Sequence, residues 1–130
     1  MLSTLSPFEK DTCPEDGKNA TIDVQTIDRW WTEFPDANIA IATGENSGLV
    51  VVDADGLAGM MTLQKYEKPN TIQAKSGRSD GGIHYYFQHP GEPIKSTRIF
   101  EKDSGVDTRG EGGYIILPPS LHWSGNRYEW

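Results

Sequence analysis

Apolar residues fall into short runs along this chain, and their spacing switches between helical and extended periods. Val24, Ile27, Trp30, Trp31 and Phe34 recur three or four residues apart, which predicts a helix capped by Asp23 and stopped before Pro35. Residues 38–42 read as a strand, 44–48 are turn-rich, and the apolar run 49–53 returns as a second strand, which predicts a hairpin. Good helix formers over 57–66 end ahead of Pro69, so a short helix is expected there. Residues 71–75 and 83–87 form a candidate strand pair across the loop 76–82, and further strands are expected near Val106, over 114–117 and over 127–130. The first residues, with Pro7, Pro14 and Gly17, read as an irregular lead-in over 1–17, leaving one folded domain over 18–130. There is no internal repeat and no low-complexity tract.

A length of 130 residues suits one domain that buries roughly two-thirds of its unfolded surface. Fourteen glycines and eight prolines cut the chain into short segments, which favours a strand-rich α+β fold over a helical bundle. Cys13 is the single cysteine and can form no intramolecular disulfide. With no signal peptide and no apolar run of membrane-spanning length in the sequence, the expectation is a cytoplasmic protein without a membrane partner.

The net charge of −7 argues against nonspecific nucleic-acid binding over the whole surface, but the charge is unevenly spread. Residues 1–64 carry three basic and eleven acidic side chains, whereas 65–109 carry eight basic and six acidic. Lys75, Arg78, Lys95, Arg98, Lys102 and Arg109 all fall in that second stretch. A local positive wall of this kind suits a triphosphate or a nucleic-acid backbone, while solvated surface charge is the commoner origin of any single member.

The strand 49–53 runs into Asp53-Ala54-Asp55-Gly56. Residues two apart share a face of a strand, so Asp53 and Asp55 can aim at one point and attract a hard divalent cation such as Mg²⁺ or Mn²⁺. Asp-x-Asp pairs also cap helices and occupy turns, so the pair alone is weak evidence. His84 follows Gly81-Gly82 at the start of an aromatic strand; glycines there allow backbone and imidazole to approach a phosphate, although most lone histidines are structural. Asp107 and Arg109 share a face if 106–109 is a regular strand, either as a surface ion pair or as a third carboxylate and a donor fork for phosphate.

These blocks, in order, are Ala20-Thr21 through Trp30-Trp31, Asn38-Ile39-Ala40-Ile41-Ala42-Thr43-Gly44, the Asp-x-Asp strand, Gly81-Gly82-Ile83-His84, Asp107-Thr108-Arg109-Gly110-Glu111-Gly112-Gly113-Tyr114, Pro118-Pro119-Ser120 and Gly125-Asn126-Arg127-Tyr128-Glu129-Trp130. Over about residues 18–130 the set resembles the bifunctional DNA primase/polymerase (prim-pol) family of the archaeo-eukaryotic primase superfamily. The resemblance implies a compact α+β catalytic core with an RRM-like, largely antiparallel sheet flanked by short helices. It implies a DNA primase/polymerase in which Asp53, Asp55 and Asp107 hold two divalent metals, Mg²⁺ or Mn²⁺, for in-line nucleotidyl transfer. His84, with Gly81 and Gly82, is then expected to contact the incoming triphosphate, and Arg109, Lys75 and Arg78 to contact triphosphate or template phosphates. Single-stranded DNA template, primer and dNTP or NTP are the implied partners, with a replicative helicase as a further one, in a phage, plasmid or related replication system. Asp80 departs from the family pattern, which commonly has a small hydroxyl residue there. A nucleotide- or DNA-binding replication module that needs other segments for turnover is the alternative. A nicking enzyme would require a paired-histidine metal motif that His84 and His89 supply poorly.

Overall fold

The structure, a computed structural model, describes residues 5–8 and 19–130. In chain order the elements are β1 (Leu5–Phe8), α1 (Val24–Glu33), β2 (Asn38–Ala42), β3 (Leu49–Asp55), α2 (Gly56–Gln64), β4 (Gln73–Lys75), β5 (Gly82–Gln88), β6 (Thr97–Arg98), β7 (Val106–Arg109) and β8 (Tyr114–Leu117). Five strands form a sheet in the order β4-β5-β3-β7-β6, and three form a second sheet in the order β1-β2-β8. Every pairing in both is antiparallel. The fold is therefore the expected α+β arrangement, and no helix among the described residues is long and apolar enough to cross a membrane.

β3 lies at the centre of the larger sheet and is covered on both faces, which is why it reads as a continuous apolar run rather than an alternation. On one face Val51 packs with Ala74 and Tyr86 and meets Ile41 and Ile115 of the smaller sheet. On the other, Ala54, Tyr85 and Val106 pack against Leu63 of α2. The molecule thus has three layers, with the large sheet between the small sheet and α2.

Helix α1 begins as expected, with the Asp23 carboxylate accepting from the Thr26 amide at 2.8 Å, and it ends at Phe34 ahead of Pro35. The expected hairpin of 38–42 with 49–53 does not form. A single 3₁₀ turn over Glu45–Ser47 carries the chain from one sheet to the other, so β2 pairs with β1 and β8, and only an isolated bridge joins Gly44 to Leu49. Stacking answers the physical demand that both apolar faces of β3 be covered, which side-by-side pairing would leave unmet. Residues 127–130 are not a strand either; they contribute isolated bridges from Arg127 to Leu121 and from Glu129 to Lys75. Within the expected irregular lead-in, residues 5–8 form β1 and pair with β2, while Cys13 and the rest of that segment lie outside the described residues.

Helix α2 reaches the sheet through Gly59. A Cβ there would stand 2.4 Å from the Gly105 carbonyl oxygen and 2.8 Å from the Ala54 carbonyl carbon, both backbone atoms that cannot rotate away. Gly59→Val is expected to lower unfolding free energy by about 3 kcal/mol through overpacking, read as a lower urea midpoint. An unchanged midpoint would show that α2 does not need this approach.

Candidate active site

The register of the large sheet builds a row of chemistry across three strands. Asp53 on β3 stands opposite His84 on β5 and opposite Asp107 on β7, so all three side chains project from the same face. That face looks toward the small sheet, as the packing of neighbouring Val51 and Tyr86 shows. Asp55 follows one step along, opposite Gly82, and Arg109 precedes by one step, opposite Val51.

Asp53 and His84 are 5% and 4% exposed, so the centre of the row is nearly dry. His84 Nε2 lies 3.4 Å from Asp53 Oδ1. Burial lowers the imidazole pKa below its ordinary value against the opposing pull of Asp53, and Arg109 lowers it further, so His84 is neutral at pH 7. Its Nδ1 and the Oδ1 of Asp53 are both buried without a hydrogen-bond partner. Such groups cost stability unless something satisfies them.

Asp55 occupies the N-cap position of α2, yet its carboxylate makes no capping hydrogen bond. Helix capping therefore does not account for it. Its pKa is raised first by burial and then by the charge of Asp53, with Asp107 adding and Arg78 opposing. Crowded carboxylates of this kind are relieved by positive charge, and arginines supply it. Arg109 Nη2 donates to Asp53 Oδ2 at 3.1 Å and lies 3.6 Å from Asp107 Oδ2. Arg98 on β6 donates to Asp107 through Nε at 2.7 Å, and Arg78 Nη1 is 3.7 Å from Asp55 Oδ1.

A cavity of about 390 Å³ opens over the row, within the size range of small-molecule sites. Asp53, Asp55, Arg78, His84 and Arg109 line it, facing Gly112, Gly113 and residues 114–116 of the small-sheet side. Asp107 is in the row but does not line the cavity, being covered by Arg98 and Arg109. Lys75 is not brought to the row: its register partner is Ile83, which packs on the helix side of the sheet. Gly81 donates its amide to the Arg78 carbonyl at 3.2 Å, so Gly81 and Gly82 shape the turn beside Asp55 rather than presenting two free donors. Asp80, the departure from the family pattern, is matched by Arg78, which donates to it from Nε and Nη2 at 2.9 Å each. His89 is held away from His84's chemistry by Glu111, at 2.7 Å from Nε2.

The wall that sequence reasoning missed is the segment after β8. The Tyr128 ring lies 5.6 Å from the His84 ring and 5.8 Å from that of His122, and both residues line the cavity. Ser124 Oγ donates to the Gly77 carbonyl at 2.6 Å, fastening this segment to the loop 76–82. Burial, then the charges of Asp53 and Asp55, raise the Tyr128 pKa, which keeps its hydroxyl protonated. The closing block containing Tyr128 stands out in the sequence, but nothing local indicates that it folds back over His84.

Among the described residues no group of three or more His, Cys, Asp or Glu side chains converges in metal-holding geometry. Two features nevertheless fit a cation: Asp53 and Asp107 both face one guanidinium nitrogen, and Asp53 keeps a buried oxygen without a hydrogen-bond partner. Carboxylate oxygens are the donors that Mg²⁺ and Mn²⁺ take.

No curated protein matches the chain. The family described as bifunctional DNA primase/polymerase, N-terminal, matches residues 5–130, which extends the resemblance back through β1. The match spans every element that builds the row and its cavity, and the chain belongs to the bifunctional DNA primase/polymerase N-terminal (Prim-Pol) family.

Proposed function

We propose that this chain is a metal-dependent nucleotidyltransferase that adds nucleotides from dNTP or NTP to a 3′-hydroxyl on a DNA template. The carrying observation is the row Asp53, His84 and Asp107, aligned by register on one sheet face, with buried Asp53 and His84 lining a cavity, in a member of the prim-pol family.

Asp53, Asp55 and Asp107 are the residues to hold divalent cations, Mg²⁺ or Mn²⁺. When bound, two such cations supply the charge that activates the attacking hydroxyl and stabilises the pyrophosphate leaving group. His84, neutral and with a free buried nitrogen, contacts the triphosphate, with Gly81 and Gly82 shaping the turn beside Asp55. Arg78 and Arg109 point their positive charge into the same cavity, suited to phosphate oxygens. Lys75 is a more distant candidate for a template phosphate, from the other side of the sheet. The catalytic domain in this reading spans 18–130, with residues 5–8 of the lead-in over 1–17 adding β1 to its small sheet. Template, primer and nucleotide are its partners, with a replicative helicase acting on the same DNA, in the cytoplasm and in a phage or plasmid replication system.

The second reading, a nucleotide- or DNA-binding replication module, is favoured by one observation: arginines already pair with all three carboxylates. Labelled nucleotide incorporation on primed and unprimed single-stranded DNA, with Mn²⁺ or Mg²⁺ and after chelation, separates the two. Product that requires metal is expected, and unprimed product adds primase activity. Metal-dependent nucleotide binding with no product would support the binding module instead.

A further inference from the structure

The arginines of the site are unequally committed. Arg98 is engaged through Nε at 2.7 Å and Nη2 at 3.4 Å to Asp107, and it also donates to the Lys102 carbonyl at 3.2 Å. Arg78 places Nε and Nη2 on Asp80 and only approaches Asp55. Arg109 differs from both. One nitrogen, Nη2, serves Asp53 and Asp107 together, while its Nε is buried with no partner. A guanidinium favours the paired fork that a carboxylate or phosphate can offer, and this one uses a single prong.

Its position explains the compromise. Arg109 stands one register step from Asp53 on the neighbouring strand, so its nitrogen reaches the point between the two carboxylates. The side chain is 36% exposed and lines the cavity, so it has room to turn toward a ligand there. A cation entering between Asp53 and Asp107 would meet the guanidinium's like charge. A phosphate group in the cavity would offer the guanidinium the two-pronged partner it lacks.

Resting on the nucleotidyltransferase reading, we infer that Arg109 is an exchangeable counter-cation: it balances Asp53 and Asp107 until a metal-bound nucleoside triphosphate arrives, then passes to the triphosphate as the metal takes its place. Metal alone therefore binds weakly, and metal and nucleotide favour one another's binding, as linkage requires. Arg98, held by three hydrogen bonds, stays on Asp107 throughout and acts as its positioning residue.

The exchange has a signature that a structural role would not give, because removing Arg109's charge moves the two affinities in opposite directions. Mn²⁺ binding without nucleotide is read from the electron paramagnetic resonance signal of free Mn²⁺. Binding of labelled dATP is read by equilibrium dialysis at saturating Mg²⁺. Arg109→Met is expected to bind Mn²⁺ about tenfold more tightly than the native chain and dATP about tenfold more weakly, from loss of one nearby charge. Arg109→Lys, which keeps the charge but not the fork, is expected to restore weak Mn²⁺ binding and recover only part of the dATP affinity. If Arg109→Met leaves Mn²⁺ affinity unchanged or weakens it, while the native chain binds both ligands, the exchange is wrong and the nucleotidyltransferase reading survives. If native and variant chains bind neither Mn²⁺ nor dATP, both fall together.

Discussion

Asp53→Asn will reduce nucleotide incorporation by about a thousandfold while leaving a folded protein. Asp53 is the centre of the row, with His84 and Asp107 on either side and Arg109 donating to it. Asparagine keeps the volume and one acceptor oxygen for Arg109, but not the charge that a divalent cation requires. Cation stabilisation of a phosphoryl-transfer transition state is worth several kcal/mol, and a loss of about 4 kcal/mol corresponds to a thousandfold in rate. The accompanying stability cost is about 1–2 kcal/mol, the worth of a weakened charge-assisted hydrogen bond. Primer extension and urea denaturation on the same preparation check both halves. Undiminished extension would remove Asp53 from the chemistry, and an unfolded variant would mean that its charge is needed for folding.

Gly82→Val is expected to be the most damaging single change to the architecture of the site. Gly82 has φ of +149°, where L side chains rarely sit, and a Cβ there would stand 2.9 Å from the Ala54 carbonyl oxygen and 3.1 Å from Ser76 Cβ. Ala54 lies between the two carboxylates, and Gly82 is the register partner of Asp55, so the clash lands on the strand that carries both. Backbone strain and overpacking together are expected to lower unfolding free energy by about 3 kcal/mol. The loss should appear as a reduced urea midpoint and as weaker nucleotide binding in the folded fraction. A variant as stable as the native protein would show that the turn tolerates a side chain, and that its glycine has another basis.

What could be read from the chain without a structure follows a physical divide. Local signals carried α1, whose cap and proline stop lie within its own residues, and β3, whose apolar run announces burial on both faces. The same run made 49–53 look like a natural hairpin partner for 38–42, because a turn-rich linker of that length fits either a hairpin or a change of sheet. Only the need to cover both faces of β3 decides between them, and that is a tertiary requirement. The site divides similarly. Asp53 and Asp55 are paired by strand period alone, whereas the row with His84 and Asp107 depends on the register of strands up to 54 residues apart in number, which no local pattern encodes. Arg98 was visible only as one charge in a basic stretch; its pairing with Asp107 comes from β6 joining the edge of the sheet. Tyr128 reaches His84 through a loop fastened to Gly77 by a serine hydroxyl. Lys75 illustrates the reverse case, since nearness in sequence to the glycine turn placed it beside the site while the pleat sends it to the other face.

The sharpest measurement is the division of kinetic effects between two members of the row, using steady-state primer extension with dNTP varied at saturating Mn²⁺. His84→Ala should raise KM for dNTP about tenfold with a smaller change in kcat, if His84 holds the triphosphate as proposed. Asp53→Asn should instead reduce kcat with KM little altered. That split would establish the buried face of the large sheet as the place of nucleotidyl transfer, with metal and nucleotide handled by neighbouring strands. Native kinetics in both variants would place the chemistry elsewhere in the chain.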